Sequence, residues 1–450
     1  MTFRFPQSHV FYRTLTAPMP QVVRGEGIYL YDDQGKRYLD GSGGALVVNV
    51  GHGVREIAEA MAEQARQVAY VNGKHFTNEP VEALAREIAG VMPPSLDKLY
   101  FLSSGSAATE AAIKFARQYW VEAGHPDKYK IIARKPGYHG NTLAALSASG
   151  RPIARGIYQP LLHDFTFIPA PMPYRCPDGE TLAAYGLRCA QALETAIARE
   201  GAETVAAFIA EPIIGASAGA SVPPEGYFER IREICDQHDV LFIADEVLTG
   251  MGRTGAWLAI ENDAVIPDLV LLGKGLSGGY APLSALVARE ALVTTLAEGS
   301  GAFKYGQTFS HTPLSAAAGL AAVRYLKQHD LVARSAEMGG YLLERLQRLR
   351  AFPFVGDVRG KGLMAGVEFV EDRATKRPFR RNVRLAETVA QTALRNGLVL
   401  WPNAGHLDTG EGDLVLLGPP FIITKTQIDE LVDLLATTLR EVAASLKIGV

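Results

Sequence analysis

The stretch Val240–Gly255, VLFIADEVLTGMGRTG, followed by Leu269–Pro282, LVLLGKGLSGGYAP, decides how this chain is read. An apolar run of strand character delivers two bare carboxylates, Asp245 and Glu246. A second apolar run delivers Lys274 between Gly273 and Gly275. Continuous apolar runs of this length read as strands buried on both faces, as in a parallel sheet. A carboxylate and an amine at the ends of neighbouring buried strands are costly to desolvate unless they face a group that needs their charge.

Around that pair, short apolar runs alternate with amphipathic helical stretches, the pattern of a mostly parallel sheet with helices on its faces. The strands predicted are Leu99–Leu102, Lys130–Ala133, Val205–Ala210, Val240–Ala244, Leu269–Leu272 and Ala285–Ala288. In PPEGYFERIREICDQHD the prolines mark a helix start, and Tyr227, Phe228, Ile231, Ile234 and Cys235 recur on one helical face. Near the N-terminus, GEGIYLYDDQGKRYLDGSGG places Asp33-Gln34-Gly35 between alternating runs and predicts a hairpin. Pro169–Gly179, PAPMPYRCPDG, reads as an irregular surface crossing. After about residue 330 the texture shifts to long helices, Asp330–Arg350 and Arg384–Asn396, with strands at VEF and DLVLLGPPF. A separate α+β lobe is expected there, its core completed by the N-terminal segment. The basic run Glu371–Arg384 reads as a solvated loop.

Composition narrows the function classes. The 450 residues are 48% hydrophobic and 21% charged with a net charge of −3, which gives no support to a nucleic-acid or membrane-surface role. Three cysteines, Cys176, Cys189 and Cys235, follow no metal or redox spacing and suit a reducing compartment. No run reaches the length of a membrane span, and the first ten residues lack the layout of a signal peptide. A cytoplasmic enzyme without a metal is expected.

Pyridoxal phosphate needs both groups of the opening pair. Its aldehyde condenses with a lysine amine, and its ring nitrogen stays protonated, as an electron sink, only beside an anion. A phosphate cradle is present as well: Leu99–Leu102 runs into Ser103-Ser104-Gly105-Ser106 and then a helix with Ala108, Ala111, Ala112, Phe115 and Tyr119 on one face. Free N–H groups and the dipole at such a terminus bind phosphate. The same serines also read as a helix cap without a ligand. KPGYHGNT supplies Tyr138 and His139 after a strand, an aromatic able to stack on a flat ring or to fill a core.

With these motifs in place, the chain resembles the class III aminotransferases, pyridoxal-phosphate enzymes of fold type I. The blocks DEV..G.GRTG and GKGL.GG..P carry the resemblance, which runs from about Val22 to Ile423. It implies an α/β architecture with a large domain on a mostly parallel seven-stranded sheet and a smaller α+β domain. Residues 1–60 would contribute to the small domain, 61–329 form the large cofactor-binding domain, and 330–450 form the C-terminal small domain. In residue terms it implies Lys274 bound to the cofactor, Asp245 at the ring nitrogen, and Gly105 and Ser106 at the phosphate. Tyr138, with His139 beside it, would cover one ring face and Val247 the other, with Glu211 of IAEPIIG near cofactor and substrate. Thr308, in YGQTFSHTPLSAAAG, would reach the phosphate of a neighbouring subunit, implying a homodimer with shared sites or a tetramer built from it. A cap for the following helix is a role compatible with that one.

Two departures bear on substrate. Leu46 stands where many relatives carry an aromatic, and Asn403–Phe421 holds no arginine to grip a carboxylate. Tyr12 is a further pocket residue or a packing residue. The expected reaction moves an amino group from a primary amine or omega-amino acid to a keto acid, pyruvate first, by way of pyridoxamine phosphate. An epimerase or decarboxylase on the same scaffold, or a 2-oxoglutarate-linked aminotransferase, shares every motif. A nucleotide-binding protein would need a Gly-x-Gly-x-x-Gly turn or a Walker lysine, and SSGSAATE has neither.

Overall fold

The computed structural model describes residues 5–447; residues 1–4 and 448–450, the ends of the terminal segments named above, lie outside it. The chain opens with an antiparallel meander of β1 (Val22–Glu26), β2 (Tyr29–Asp32) and β3 (Arg37–Asp40). Its hairpin turn is held by Asp32, whose carboxylate accepts from the N–H groups of Gln34 and Lys36 at 3.0 and 2.9 Å and from the Tyr38 hydroxyl at 2.7 Å.

The large sheet contains β4 (Leu96–Leu102), β5 (Lys130–Lys135), β6 (Thr166–Pro169), β7 (Val205–Ala210), β8 (Leu241–Asp245), β9 (Leu269–Leu272) and β10 (Ser284–Arg289). It is seven-stranded in the order β4-β10-β9-β8-β7-β5-β6, with β10 antiparallel to both neighbours and the rest parallel. The edge strand β6 escapes the sequence pattern because TFIP is short and ends in proline.

All of β7, β8 and β9 is buried, and their side chains alternate between two apolar layers. Phe208, Phe242 and Val270 face the layer that holds Tyr227 and Phe228 of the helix Tyr227–Gln237. Ile209, Ile243 and Leu271 face the layer of the helix Gly105–Glu122, through Ala108, Ala111 and Phe115. Burying one such Phe fully stabilises by roughly 1.5–3 kcal/mol, and the alternation decides more than stability. Asp245 shares the parity of Ile243 and so projects toward the helix Gly105–Glu122, whereas Glu246 projects to the opposite side.

The C-terminal lobe contains β11 (Val355–Lys361), β12 (Met364–Phe369), β13 (Leu398–Val399), β14 (Trp401–Ala404) and β15 (Asp413–Leu417). Four of these form the antiparallel order β11-β12-β15-β14, while β13 pairs in parallel with β3 and joins the N-terminal meander to this lobe. Helices Leu331–Leu346, Leu385–Arg395 and Lys425–Leu446 pack over it. Pro169–Gly179 is less superficial than its composition suggests. Ala170 is buried, Pro173–Arg175 forms a 3₁₀ turn, and Arg175 pairs with the buried Glu368.

Arg253 of the GRTG motif ties the two halves together. Its Nη1 donates to the carbonyls of Leu363 and Pro419 at 2.9 and 2.7 Å, and the guanidinium lies 4.6 Å from the Phe421 ring centroid. Burial lowers its pKa to about 9, and bonds to carbonyls rather than carboxylates make it a staple, not a reactive group.

A neighbouring pair of glycines tests the packing of this lobe. A Cβ at Gly339 would lie 2.1 Å from the Gly362 carbonyl carbon, whereas at Gly340 it would meet nothing within 4 Å. Gly339→Ala should destabilise by about 1–3 kcal/mol through overpacking against backbone. Gly340→Ala should be neutral or stabilising by up to about 1 kcal/mol through helix propensity. Chemical denaturation of the two variants checks the contrast.

Candidate active site

The carboxyl ends of β4, β5, β7, β8 and β9 lie along one edge of the sheet, where open α/β sheets place their ligand crevices. The segments leaving them enclose one cleft. Gly105 and Ser106 come after β4, Tyr138 and His139 after β5, and Glu211 after β7. Asp245 ends β8 and Val247 lies two residues beyond it, and Lys274 follows β9. Gly140, Ala216 and Leu248 complete the lining. Gly140 directly follows His139 in YHGN, a position the motif could have pointed to, whereas Ala216 has no signal in the sequence.

Asp245 is 4% exposed. Its Oδ2 accepts from His139 Nδ1 at 2.7 Å and its Oδ1 from the Val247 N–H at 3.1 Å. His139 is itself pinned, its N–H donating to Ser149 Oγ at 2.8 Å and its carbonyl accepting from Thr109 Oγ1 at 2.7 Å. The imidazole thus acts on Asp245, fixing one carboxylate oxygen, and its buried Nε2 has no partner among the described residues. Glu246 turns away, to Thr249 Oγ1 and the Ile260 N–H, and burial raises its pKa to about 7.

Lys274 opens a 3₁₀ turn with a φ of +43°, a left-handed conformation that costs a non-glycine residue about 1–3 kcal/mol. Burial pushes its amine pKa down, opposed by the charges of Asp245 and Glu211. The flanking glycines have a more specific role than open access. A Cβ at Gly273 would stand 3.1 Å from Val247 Cγ1, and one at Gly275 2.8 Å from Asn49 Nδ2. Gly105 faces the same valine, at 2.8 Å. Val247 therefore fills the space between the phosphate-type turn and the lysine turn, and both turns need glycine to admit it.

Ser104, not Ser106, caps the helix Gly105–Glu122, accepting from the Ala107 N–H at 3.2 Å. Ser106 Oγ accepts from the Asn141 N–H at 3.0 Å, which leaves its own proton free to donate. Glu211 is held by two main-chain donors, Tyr138 N–H on Oε1 and Gly215 N–H on Oε2, each at 3.0 Å, and burial raises its pKa. Burial likewise raises the Tyr138 phenol.

Three residues singled out in the sequence lie elsewhere. Thr308 is exposed on the Lys304–Phe309 segment, outside this chain's own cleft. Leu46 is 1% exposed with a φ of +58° and packs in an apolar cluster with Leu248 and Ile213, behind the lining rather than in it. Tyr12 is exposed on the N-terminal segment, and the charge of its neighbour Arg13 acts on the Tyr138 phenol. Among the described residues there is no cluster of metal-ligating side chains, and no helix is long and apolar enough to cross a membrane.

Comparison with known proteins agrees with this geometry. The chain matches the family described as Aminotransferase class-III over residues 12–439. It is 41% identical to the aminotransferase YodT of Bacillus subtilis (strain 168), over 98% of this chain and 99% of that protein. It is 36% identical to the putrescine–pyruvate aminotransferase of Pseudomonas aeruginosa, over 94% and 91%. The solved structure of an (S)-enantioselective omega-transaminase from Thermomicrobium roseum superposes with a TM-score of 0.91 at 38% identity, covering 97% of each chain. A fold type I sheet whose strand ends gather a buried carboxylate, a lysine and a helix terminus, matched along almost its whole length, identifies the chain as a member of the class III aminotransferases, a pyridoxal-phosphate-dependent family acting on small amines and keto acids.

Proposed function

We propose that the protein transfers an amino group from a primary amine or omega-amino acid to a keto acid, with pyruvate as the acceptor. The observation that carries this reading is the cleft itself, where Asp245 and Lys274 share one cavity with the Gly105–Ser106 helix terminus. Support for the acceptor comes from the putrescine–pyruvate relative.

The residues present fit pyridoxal phosphate. The N–H groups at Gly105 and Ser106, with the free Ser106 hydroxyl proton, would hold its phosphate. Tyr138 and Val247, both lining the cleft, would hold its ring. When bound, the cofactor supplies an aldehyde that takes up the amino group and a ring that draws electrons from the bond being broken. Asp245 would hold a proton at the ring nitrogen, and His139 fixes the carboxylate that would do so. Lys274 would act as the acid–base group that takes a proton from the substrate carbon and gives it back, a role suited to an amine whose pKa burial has lowered. Glu211, through Tyr138 and Gly215, fixes the loop backbones that bound the cleft.

In this reading residues 61–329 surround the cofactor and residues 1–60 complete the 330–450 lobe, which the β3–β13 pairing supports. A homodimer goes with it. Phe309, next to Thr308, is 61% exposed and meets the exposed Tyr70 edge-on at 6.0 Å, leaving apolar surface for a second copy to cover.

A donor series with pyruvate as acceptor tests the assignment. A simple arylalkyl amine or an omega-amino acid should outpace glutamate; a strong preference for glutamate, or activity with 2-oxoglutarate alone, would overturn it. Lys274→Ala should abolish turnover and the visible absorbance of lysine-bound cofactor while the fold survives. Asp245→Asn should still bind the cofactor but lose on the order of a hundredfold or more in rate, the scale of a lost electrostatic partner. Steady-state kinetics on the reconstituted variant reads this directly. Thr308→Ala should weaken cofactor retention on dilution by roughly 1.5–3 kcal/mol, the worth of a hydrogen bond to a charged group. Equilibrium dialysis of the variant against wild type measures it, and a fully active monomer would remove the role.

A further inference from the structure

The keto acid brings a carboxylate into the cleft, and Asn403–Phe421 holds no arginine to receive it. We propose that Arg151, assisted by Arg13, binds the substrate carboxylate on the Tyr138 side of the cleft. This inference rests on the transaminase reading and adds the residues that select acidic acceptors.

Arg151 precedes the short helix Pro152–Arg155, far in sequence from the arginine-free stretch, yet the fold brings it there. Its Nη2 donates to the Asn403 side-chain oxygen and, at 3.4 Å, to the Ala404 carbonyl. The following residues continue the contact, since a Cβ at Gly405 would lie 3.3 Å from Ile153 Cδ1. A guanidinium from one part of the chain thus stands against a stretch that contains none. Its Nε is buried and has no partner among the described residues.

The charges around Arg151 are unbalanced. Arg13 repels it, and among the described residues its side chain bonds to the Asn403 and Ala404 oxygens and to no carboxylate. Both arginines act in turn on Tyr138, which lines the cleft. A partly buried guanidinium beside a like charge is unfavourable until an anion joins it. Planar guanidinium groups match a carboxylate in two parallel bonds. Of the neighbouring arginines, Arg155 donates to the carbonyls of Leu146, Ser147 and Ser149, and Arg253 to those of Leu363 and Pro419.

The experiment compares pyruvate with propanal, an uncharged acceptor of the same carbon number, using the holoenzyme and one arylalkyl amine donor. In Arg151→Gln the ratio of kcat/KM for pyruvate to that for propanal should fall at least ~10-fold, as for a lost charge-assisted bond. Arg13→Gln should lower the ratio less, and Arg151→Lys should recover part of it, since an ammonium keeps the charge without the fork. Calorimetric titration with propionate, an unreactive carboxylate, reads the same site without turnover and should show the same order of weakening. An unchanged ratio in a folded Arg151→Gln enzyme, or equal losses for both acceptors with unchanged propionate binding, would overturn the proposal. Failure of the wild-type enzyme to transaminate either acceptor would instead count against the transaminase reading.

Discussion

Asp245 is a carboxylate at the end of a fully buried strand, and the hydrogen bonds that keep it there reach to both sides of the cleft. Removing an anion from water is expensive, so it survives at such a place only with donors on its oxygens and a cation to face. His139 supplies one donor and the Val247 N–H the other, while Lys274 shares the cavity. The neighbouring strands are arranged accordingly. β5 must deliver the imidazole and β9 the lysine, and β7 delivers Glu211, which secures the backbone of Tyr138 next to that imidazole.

Val247 shows how tightly packing and chemistry are coupled. One β-branched side chain fills the space above Gly105 and Gly273, so the helix terminus and the lysine turn are positioned against the same two methyl groups. Further out, Arg253 fastens the loop after β8 to carbonyls of the C-terminal lobe and to Phe421. The strained backbone at Lys274 is sustained by these surroundings. It lies where the amine has to be presented, not where the chain merely turns.

Much of this was legible in the sequence, for reasons that differ by residue. The buried strands announced themselves as apolar runs, and side-chain alternation along an extended β8 is enough to separate Asp245 from Glu246. Gly105, Ser106, Tyr138, His139, Glu211 and Lys274 each follow a strand, so a parallel sheet brings them to one edge without further information. What the sequence hid depends on contacts between distant segments. It showed a serine cluster but not that Ser104 takes the cap and leaves Ser106 facing the cleft. Leu46 was legible as a residue near the site but not as one packed behind Leu248. The arginine missing before Pro419 looked like a gap, because no linear pattern relates residue 151 to residues 403 and 404. β6 was lost for a simpler reason: four residues ending in proline carry too little periodicity.

A cleft that moves amino groups leaves a signature that no other reaction on the same scaffold shares. The most direct measurement mixes the holoenzyme with an excess of primary amine and no keto acid, then quantifies the cofactor and the carbonyl product. Stoichiometric conversion of the cofactor to pyridoxamine phosphate is expected, with an equal amount of ketone or aldehyde and no further product until pyruvate is added. Continued turnover of an amino acid without accumulation of pyridoxamine phosphate, by racemisation or by release of carbon dioxide, would contradict it.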